Sequence, residues 1–272
     1  MLFQRVVTAL LLAPLAILII LLLPTPWLAV VGAVVFLGAL EEWARLAGVR
    51  QPAARIALLA VAALLFVLLW LAHAGPLTPL LLALGVAWWL IACLWLRHFA
   101  YGAAPTKENR AIKLAAGAFV VFPAWIAALA LHGREPHGHW WMLLALLVVW
   151  AADIGAYFSG RAFGKRKLAP QISPGKTWAG AYGALAAGAA VALIGGWLLG
   201  LRGAALPGLA VLALLTVAAS IVGDLLESLM KRHAQVKDSG DLFPGHGGLL
   251  DRLDSVFAAL PVFTLGLQLL RM

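Results

Sequence analysis

Apolar residues run in long blocks along this chain, and polar residues gather in the breaks between them. A bilayer core about 30 Å thick calls for about 20 apolar residues per helix. Nine segments approach that length, with soft ends: 6–23, 27–43, 54–74, 77–96, 111–131, 139–158, 178–201, 204–227 and 253–271. Turn chemistry marks the breaks, in Pro24-Thr25-Pro26, Gly75-Pro76 and Arg202-Gly203. The second segment is short and ends in Glu41-Glu42, which reads as partly interfacial. The first follows Arg5, is longer than a signal-peptide core and lacks a small-x-small cleavage site, so it reads as a retained helix. The pattern predicts an all-α, polytopic transmembrane protein of about nine helices. Residues 1–138 supply the N-terminal helices and residues 139–272 a catalytic region, in one integrated membrane domain.

Composition agrees. Of 272 residues, 64% are hydrophobic and 11% charged, whereas soluble domains are roughly half apolar and a quarter charged. Lipid must be the solvent for most of this surface, and little chain remains for a separate soluble domain. The single cysteine, Cys93, excludes an intrachain disulfide and a cysteine-based metal site, and reads as an inert buried thiol. A net charge of +9 would suggest nucleic acid in a soluble protein. Here position explains it. With the N-terminus inside, 17 of the 20 Lys and Arg residues fall on the cytoplasmic side, and only Arg134, Arg202 and Arg271 lie outside. The positive-inside rule then sets the N-terminus in and the C-terminus out. Orientation and attraction to anionic lipid account for the number of cations, but not for the acids interleaved with them.

Of the 11 acidic residues only Glu135 lies on the outer side. Asp153, Asp224 and Glu227 fall inside or at the ends of predicted helices, all near the cytoplasmic face. Ionisable groups at membrane depth are costly and mark functional sites by default.

Three polar stretches carry candidate chemistry. The first runs from Asp153 through Ser159-Gly160-Arg161 and Lys165-Arg166-Lys167 to Ser173-Pro174-Gly175-Lys176-Thr177-Trp178. Glycines, cations and a helix start suit a phosphate chain. The P-loop spacing is absent, and a basic loop with Ser173 as N-cap and Pro174 in the first helical turn is the bland alternative. In the second, Asp224, Glu227 and Ser228 share one helical face, with Lys231 a turn later. That face could hold a divalent cation or a structural ion pair. The third, Lys237 to Asp254, has a Pro- and Gly-rich loop containing His246, then Asp251 and Asp254 three apart on a helix. This spacing suits Mg²⁺, which takes one or two carboxylates plus waters and phosphate oxygens. Carboxylates at a helix N-terminus are the bland alternative. The segment His132-Gly-Arg-Glu-Pro-His137-Gly-His139 reads as a solvated outer loop beside interfacial Trp140-Trp141.

The run Ser228 to Asp254 closely resembles the signature of the phosphatidate cytidylyltransferase (CDP-diacylglycerol synthase) family. It has S-x-hydrophobic-K-R, then K-D-x-small, Phe243-Pro244, H-G-G and x-D-R-hydrophobic-D. Asp153 to Trp178 is similar to that family's other cytoplasmic segment, with Gly175 where the family often has lysine. The first 138 residues show only a compatible layout. The resemblance implies conversion of CTP and phosphatidic acid to CDP-diacylglycerol and pyrophosphate with Mg²⁺, and leaves a second or monovalent cation open. It implies a bacterial inner membrane, a site facing the cytoplasm, a periplasmic C-terminus and no nucleic-acid partner. A homodimer is the assembly it suggests. Asp224 and Asp251 would hold Mg²⁺, with Asp254 bound directly or through water. Lys237 and His246 join them as catalytic candidates. Asp153, Arg161, Ser173, Lys176, Thr177, Glu227, Ser228, Lys231, Arg232 and Arg252 would bind substrate. A CTP-dependent polyprenol or lipid kinase is the near rival, distinguished by releasing CDP. A transporter is the rival from another class, although the acids cluster at one face without matched halves.

Overall fold

The computed structural model describes residues 2–73, 75–242 and 247–272, with side chains in the first helix from Leu10 onward. Among them are nine helices: α1 (Leu2–Leu22), α2 (Thr25–Leu46), α3 (Pro52–Ala72), α4 (Leu77–Leu96), α5 (Lys107–His132), α6 (Gly138–Phe163), α7 (Trp178–Leu198), α8 (Ala205–His233) and α9 (Leu250–Leu269). Each corresponds to one predicted segment. Among the described residues seven, α2 to α8, are long and apolar enough to cross a bilayer. This is a membrane protein. Its outer surface agrees: in α3 only Ala62 and Phe66 are buried, and Val61, Leu64, Leu68 and Leu71 stand exposed. In water such a face would be a liability; in lipid it is solvated.

Several helices run past their predicted ends. α2 continues through Glu41 and Glu42 to Leu46, α6 carries Ser159 and Arg161, and α8 carries Lys231 and Arg232. Polarity ends a hydropathy window before it ends a helix, because charged residues are good helix formers once the span meets water.

One element departs from the all-α expectation. The α6–α7 connection folds into an antiparallel hairpin, β1 (Lys167–Ala169) with β2 (Ser173–Thr177), in register Lys167↔Thr177 and Ala169↔Ser173. Ser173 and Pro174 therefore lie in a strand and do not cap a helix. The cap of α7 is Thr177, whose hydroxyl accepts the Gly180 N–H at 3.1 Å.

Within lipid, helices associate by close packing, and small residues allow it. α6 and α7 meet nearly backbone to backbone: a Cβ on Gly155 would collide with the Gly183 carbonyl, and one on Gly183 with Ser159. α8 meets α9 the same way, at Gly223 against the Asp254 carbonyl and Ala258. α9 also packs on α2, α4 and α5, so helices of both halves enclose it. Phe36 of α2 meets Phe257 edge-on at 4.9 Å in the core.

Gly133, Glu135, Pro136 and His137 form the exposed loop expected, but His132 at its start does not. His132 ends α5 and is 1% exposed. Its Nε2 donates to the Ile20 carbonyl at 2.9 Å and its Nδ1 accepts from the Thr25 hydroxyl at 2.9 Å. Both ring nitrogens are used to tie α5 to the α1–α2 turn. Trp141 is buried and only Trp140 is exposed.

Candidate active site

The polar stretches converge at one end of the bundle and form two distinct assemblies. The first is an open cleft of about 490 Å³ between α6, α7 and α8. Asp153, Tyr157 and Arg161 of α6 line it, with Lys176 and Thr177 from the hairpin, Ser220 and Asp224 of α8, and Ser255 of α9. Close α6–α7 packing brings Asp153 toward α8. The hairpin carries Lys176 across to Asp224, with Nζ to Oδ2 at 2.5 Å. Ser228 Oγ donates to the other Asp224 oxygen at 3.4 Å, so the i, i+4 face read from sequence is realised. Asp153 and Asp254 lie within electrostatic reach of Asp224 and of Lys176. Three carboxylates thus gather near the Lys176 ammonium. Arg252, exposed in the first turn of α9, adds a more distant cation near Asp153.

The second assembly is a buried polar knot behind the cleft. Lys231 Nζ stands 2.5 Å from Glu227 Oε2 and 2.5 Å from Asp251 Oδ1. The other oxygen of Asp251 accepts the Ser239 N–H at 2.8 Å and the Gly248 N–H at 2.8 Å, and lies 2.9 Å from Ser239 Oγ. Glu42 reaches in from α2, 6% exposed. It accepts from Ser239 Oγ at 2.7 Å, Leu249 N at 2.9 Å and Leu250 N at 2.8 Å. The first N–H groups of a helix have no partner within it, and α9 has no side-chain cap of its own. Glu42 supplies that cap from another helix, with a full charge against the positive end of the dipole. Gly247 sits at φ +78°, and a Cβ on Gly248 would fall on Glu42 and Ser239. Glycine at these positions lets the backbone approach both carboxylates.

Other predicted residues have different surroundings. Arg232 Nε donates to the Ile172 carbonyl at 3.2 Å and ties α8 to the hairpin turn. Arg161 donates to the Tyr157 hydroxyl at 3.0 Å, one turn back. Ser173 starts β2 outside the cleft lining, and Lys237 is exposed, without an ion pair among the described residues. His246 lies outside the described residues. Asp224, Asp251 and Asp254 do not assemble as one group of three metal-type ligands among the described residues. Asp224 faces the cleft and both oxygens of Asp251 are engaged in the knot. Glu227 lies between the two assemblies: 1% exposed, close to Asp254 and Asp251, with Oε1 buried and lacking a hydrogen-bond partner.

Sequence reading missed Glu42 and Ser239. Glu42 carried a signal, a carboxylate at the end of an apolar span, but hydropathy placed it at the interface. Ser239 carried none, since a hydroxyl in a polar loop is unremarked without its partners.

Buried and cleft-lining carboxylates, with Lys176 and Arg161 beside them, thus gather at one end of a bundle of apolar helices. Comparison with known proteins gives this site a family. A profile of the Cytidylyltransferase family matches residues 3–270. The chain belongs to that family. Its relatives include a phosphatidate cytidylyltransferase of Pseudomonas aeruginosa, 49% identical over 97% of this chain and 96% of the relative. The protein of that name from Haemophilus influenzae is 40% identical over 97% and 98%. A third, from Brucella suis, is 45% identical over 53% of each chain.

Proposed function

We propose that this protein is a phosphatidate cytidylyltransferase, joining CTP to phosphatidic acid to give CDP-diacylglycerol and pyrophosphate for phospholipid synthesis. The observation that carries the reading is the end-to-end similarity to proteins of that name, at 49% identity. The cleft agrees with it. The lipid phosphate is an anionic nucleophile already, and no serine or cysteine nucleophile is needed. One of its oxygens attacks the α-phosphorus of CTP, the bond from that phosphorus to the bridging oxygen breaks, and pyrophosphate leaves with the electron pair. The barrier lies in bringing two polyanions together in line, which positioning and charge compensation lower.

Lys176 is placed to exchange its ion pair with Asp224 for one with a phosphate oxygen. Arg161 and Arg252 border the same space. Thr177, fixed as a helix cap, holds the strand that presents Lys176. The knot keeps the start of α9 in place, and so Ser255 at the cleft and Asp254 near Asp224. Lys231, held between two carboxylates, acts as a positioning residue here.

The residues fit Mg²⁺: Asp153, Asp224 and Asp254 are neighbouring oxygen donors, and the buried Glu227 Oε1 lacks a hydrogen-bond partner. Asp224 and Asp254 would hold the ion, in keeping with its habit of taking one or two carboxylates and filling its shell with water and phosphate oxygens. When bound it would neutralise charge on the phosphates and on the departing pyrophosphate.

The reading extends to nine spans in a bacterial inner membrane, with the N-terminus and the site cytoplasmic and the C-terminus periplasmic. The distribution of Lys and Arg supports this. Assembly as a homodimer is part of the proposal, tested by cross-linking in native membranes.

The decisive assay uses purified protein in detergent micelles with phosphatidic acid and radiolabelled CTP, with and without Mg²⁺. CDP-diacylglycerol and pyrophosphate should form in equal amounts. Release of CDP with a phosphorylated lipid would instead make it a kinase.

A further inference from the structure

The cleft is not the molecule's only cation-lined hollow. A second cavity of about 660 Å³ lies between the end of α2, the start of α5 and the end of α8. It shares no lining residue with the cleft. His233 at its wall is nine residues along α8 from Asp224, about 14 Å at 1.5 Å per residue. Arg45, Arg50, Arg110 and Lys113 line it, and among the described residues no carboxylate does.

Positive-inside orientation explains basic residues at a membrane surface, and solvated ones need nothing more. Lys113 is largely buried. It is 5% exposed, lines the cavity, and makes no ion pair among the described residues. A buried cation without a counter-ion is costly unless something compensates it. Arg50 and Arg110 also lack ion pairs among the described residues, whereas Arg45 is matched to Glu41 at 2.7 Å. Thr106, which caps α5, borders the same space, so the positive end of that helix opens onto it.

His233 sharpens the demand. Its Nε2 donates to the Phe99 carbonyl at 2.7 Å, which leaves Nδ1 as an acceptor. Nδ1 is buried without a partner. His233 lines the cavity, which therefore asks for an anion with several acceptor oxygens, and an O–H reaching Nδ1 would satisfy that nitrogen. A monohydrogen phosphate group has both.

We propose that this cavity is a second binding site, separate from the reaction cleft, for a phosphate monoester or free inorganic phosphate. Lys113, Arg50 and Arg110 contact the oxygens, and His233 Nδ1 accepts the P–O–H. The assignment stands independently of the reaction assigned to the cleft. The group can arrive on a lipid, as in phosphatidic acid, or from solution, and the chemistry is shared.

The test is calorimetric titration of inorganic phosphate, at fixed ionic strength, into full-length protein in phosphatidylcholine nanodiscs. Lys176→Met is used as background to weaken the cleft. A saturable site is expected. Arg50→Ala with Arg110→Ala, both at exposed positions, should weaken it about tenfold or more, and Lys113→Met likewise. Unchanged phosphate binding in the double-arginine variant overturns the proposal, whether or not Lys113→Met folds. Nanodiscs containing phosphatidic acid distinguish the sources. If they abolish phosphate binding, the lipid headgroup is the occupant; if they leave it unchanged, phosphate from solution is. Phosphatidylglycerol, a diester without a P–O–H, is the control. Equal competition by both lipids would overturn the monoester assignment.

Discussion

The cleft and the knot use the same residue types to opposite ends. In the knot every oxygen of Asp251 and Glu42 has a partner and Lys231 is shared between two carboxylates, so that of its oxygens Glu227 Oε1 is left over. In the cleft a single ion pair, Lys176–Asp224, sits half open beside two further acids. A saturated network resists change, because removing one member strands the others in a low dielectric. An unsaturated one has charge left for a ligand. The difference separates holding a site from using it: the knot fixes where α9 begins, and the proposed reaction belongs to the cleft.

The largest expected effect falls on the knot. Lys231→Met strands Glu227 and Asp251 and should cost about 3–5 kcal/mol, seen as a lower melting temperature in detergent by tryptophan fluorescence. A variant as stable as the parent would dissolve the distinction. Next comes the cleft: Asp224→Asn should retain the melting temperature and lower the rate of CDP-diacylglycerol formation by about 10²–10³. Loss of folding without loss of specific activity would reassign Asp224 to structure. Glu42→Gln keeps the size but replaces a charged acceptor facing three donors, at a cost of about 1.5–3 kcal/mol. Because Glu42 acts through α9, kcat should fall more than KM for CTP rises, and Glu42→Asp, too short to reach, should not rescue it. The smallest effect on stability belongs to Lys176→Met, within about 1 kcal/mol, since its ion pair is partly solvated. Its activity should nonetheless fall, and full activity would remove Lys176 from phosphate binding.

The reading of particular residues shows where sequence suffices. Asp224, Glu227 and Ser228 were placed on one face by helical spacing, with Lys231 a turn later, and the structure pairs Ser228 with Asp224 and Lys231 with Glu227. Asp251 and Asp254 were placed together by the same rule, yet they serve different assemblies, because Asp251 turns back to Ser239 and Gly248. Ser173 read as a helix cap, but the hairpin pairs it with Ala169 instead. His132 read as solvated, but two neighbours from α1 and α2 enclose it. The failures share a cause: each depended on a partner outside the helix being read, a loop backbone for Asp251, a paired strand for Ser173 and segments more than a hundred residues away for His132, and none of these leaves a helical pattern.

Spans, breaks and the concentration of acids near one membrane face were set by the chain itself, since the length of an apolar run and the cost of charge in lipid are properties of local sequence. Tertiary structure alone decided that Glu42 of α2 caps α9, that Lys176 meets Asp224, and that Lys113 lies buried beside a second cavity. These are contacts between distant segments, and they arise from how glycine-lined helices approach one another, which no single segment records.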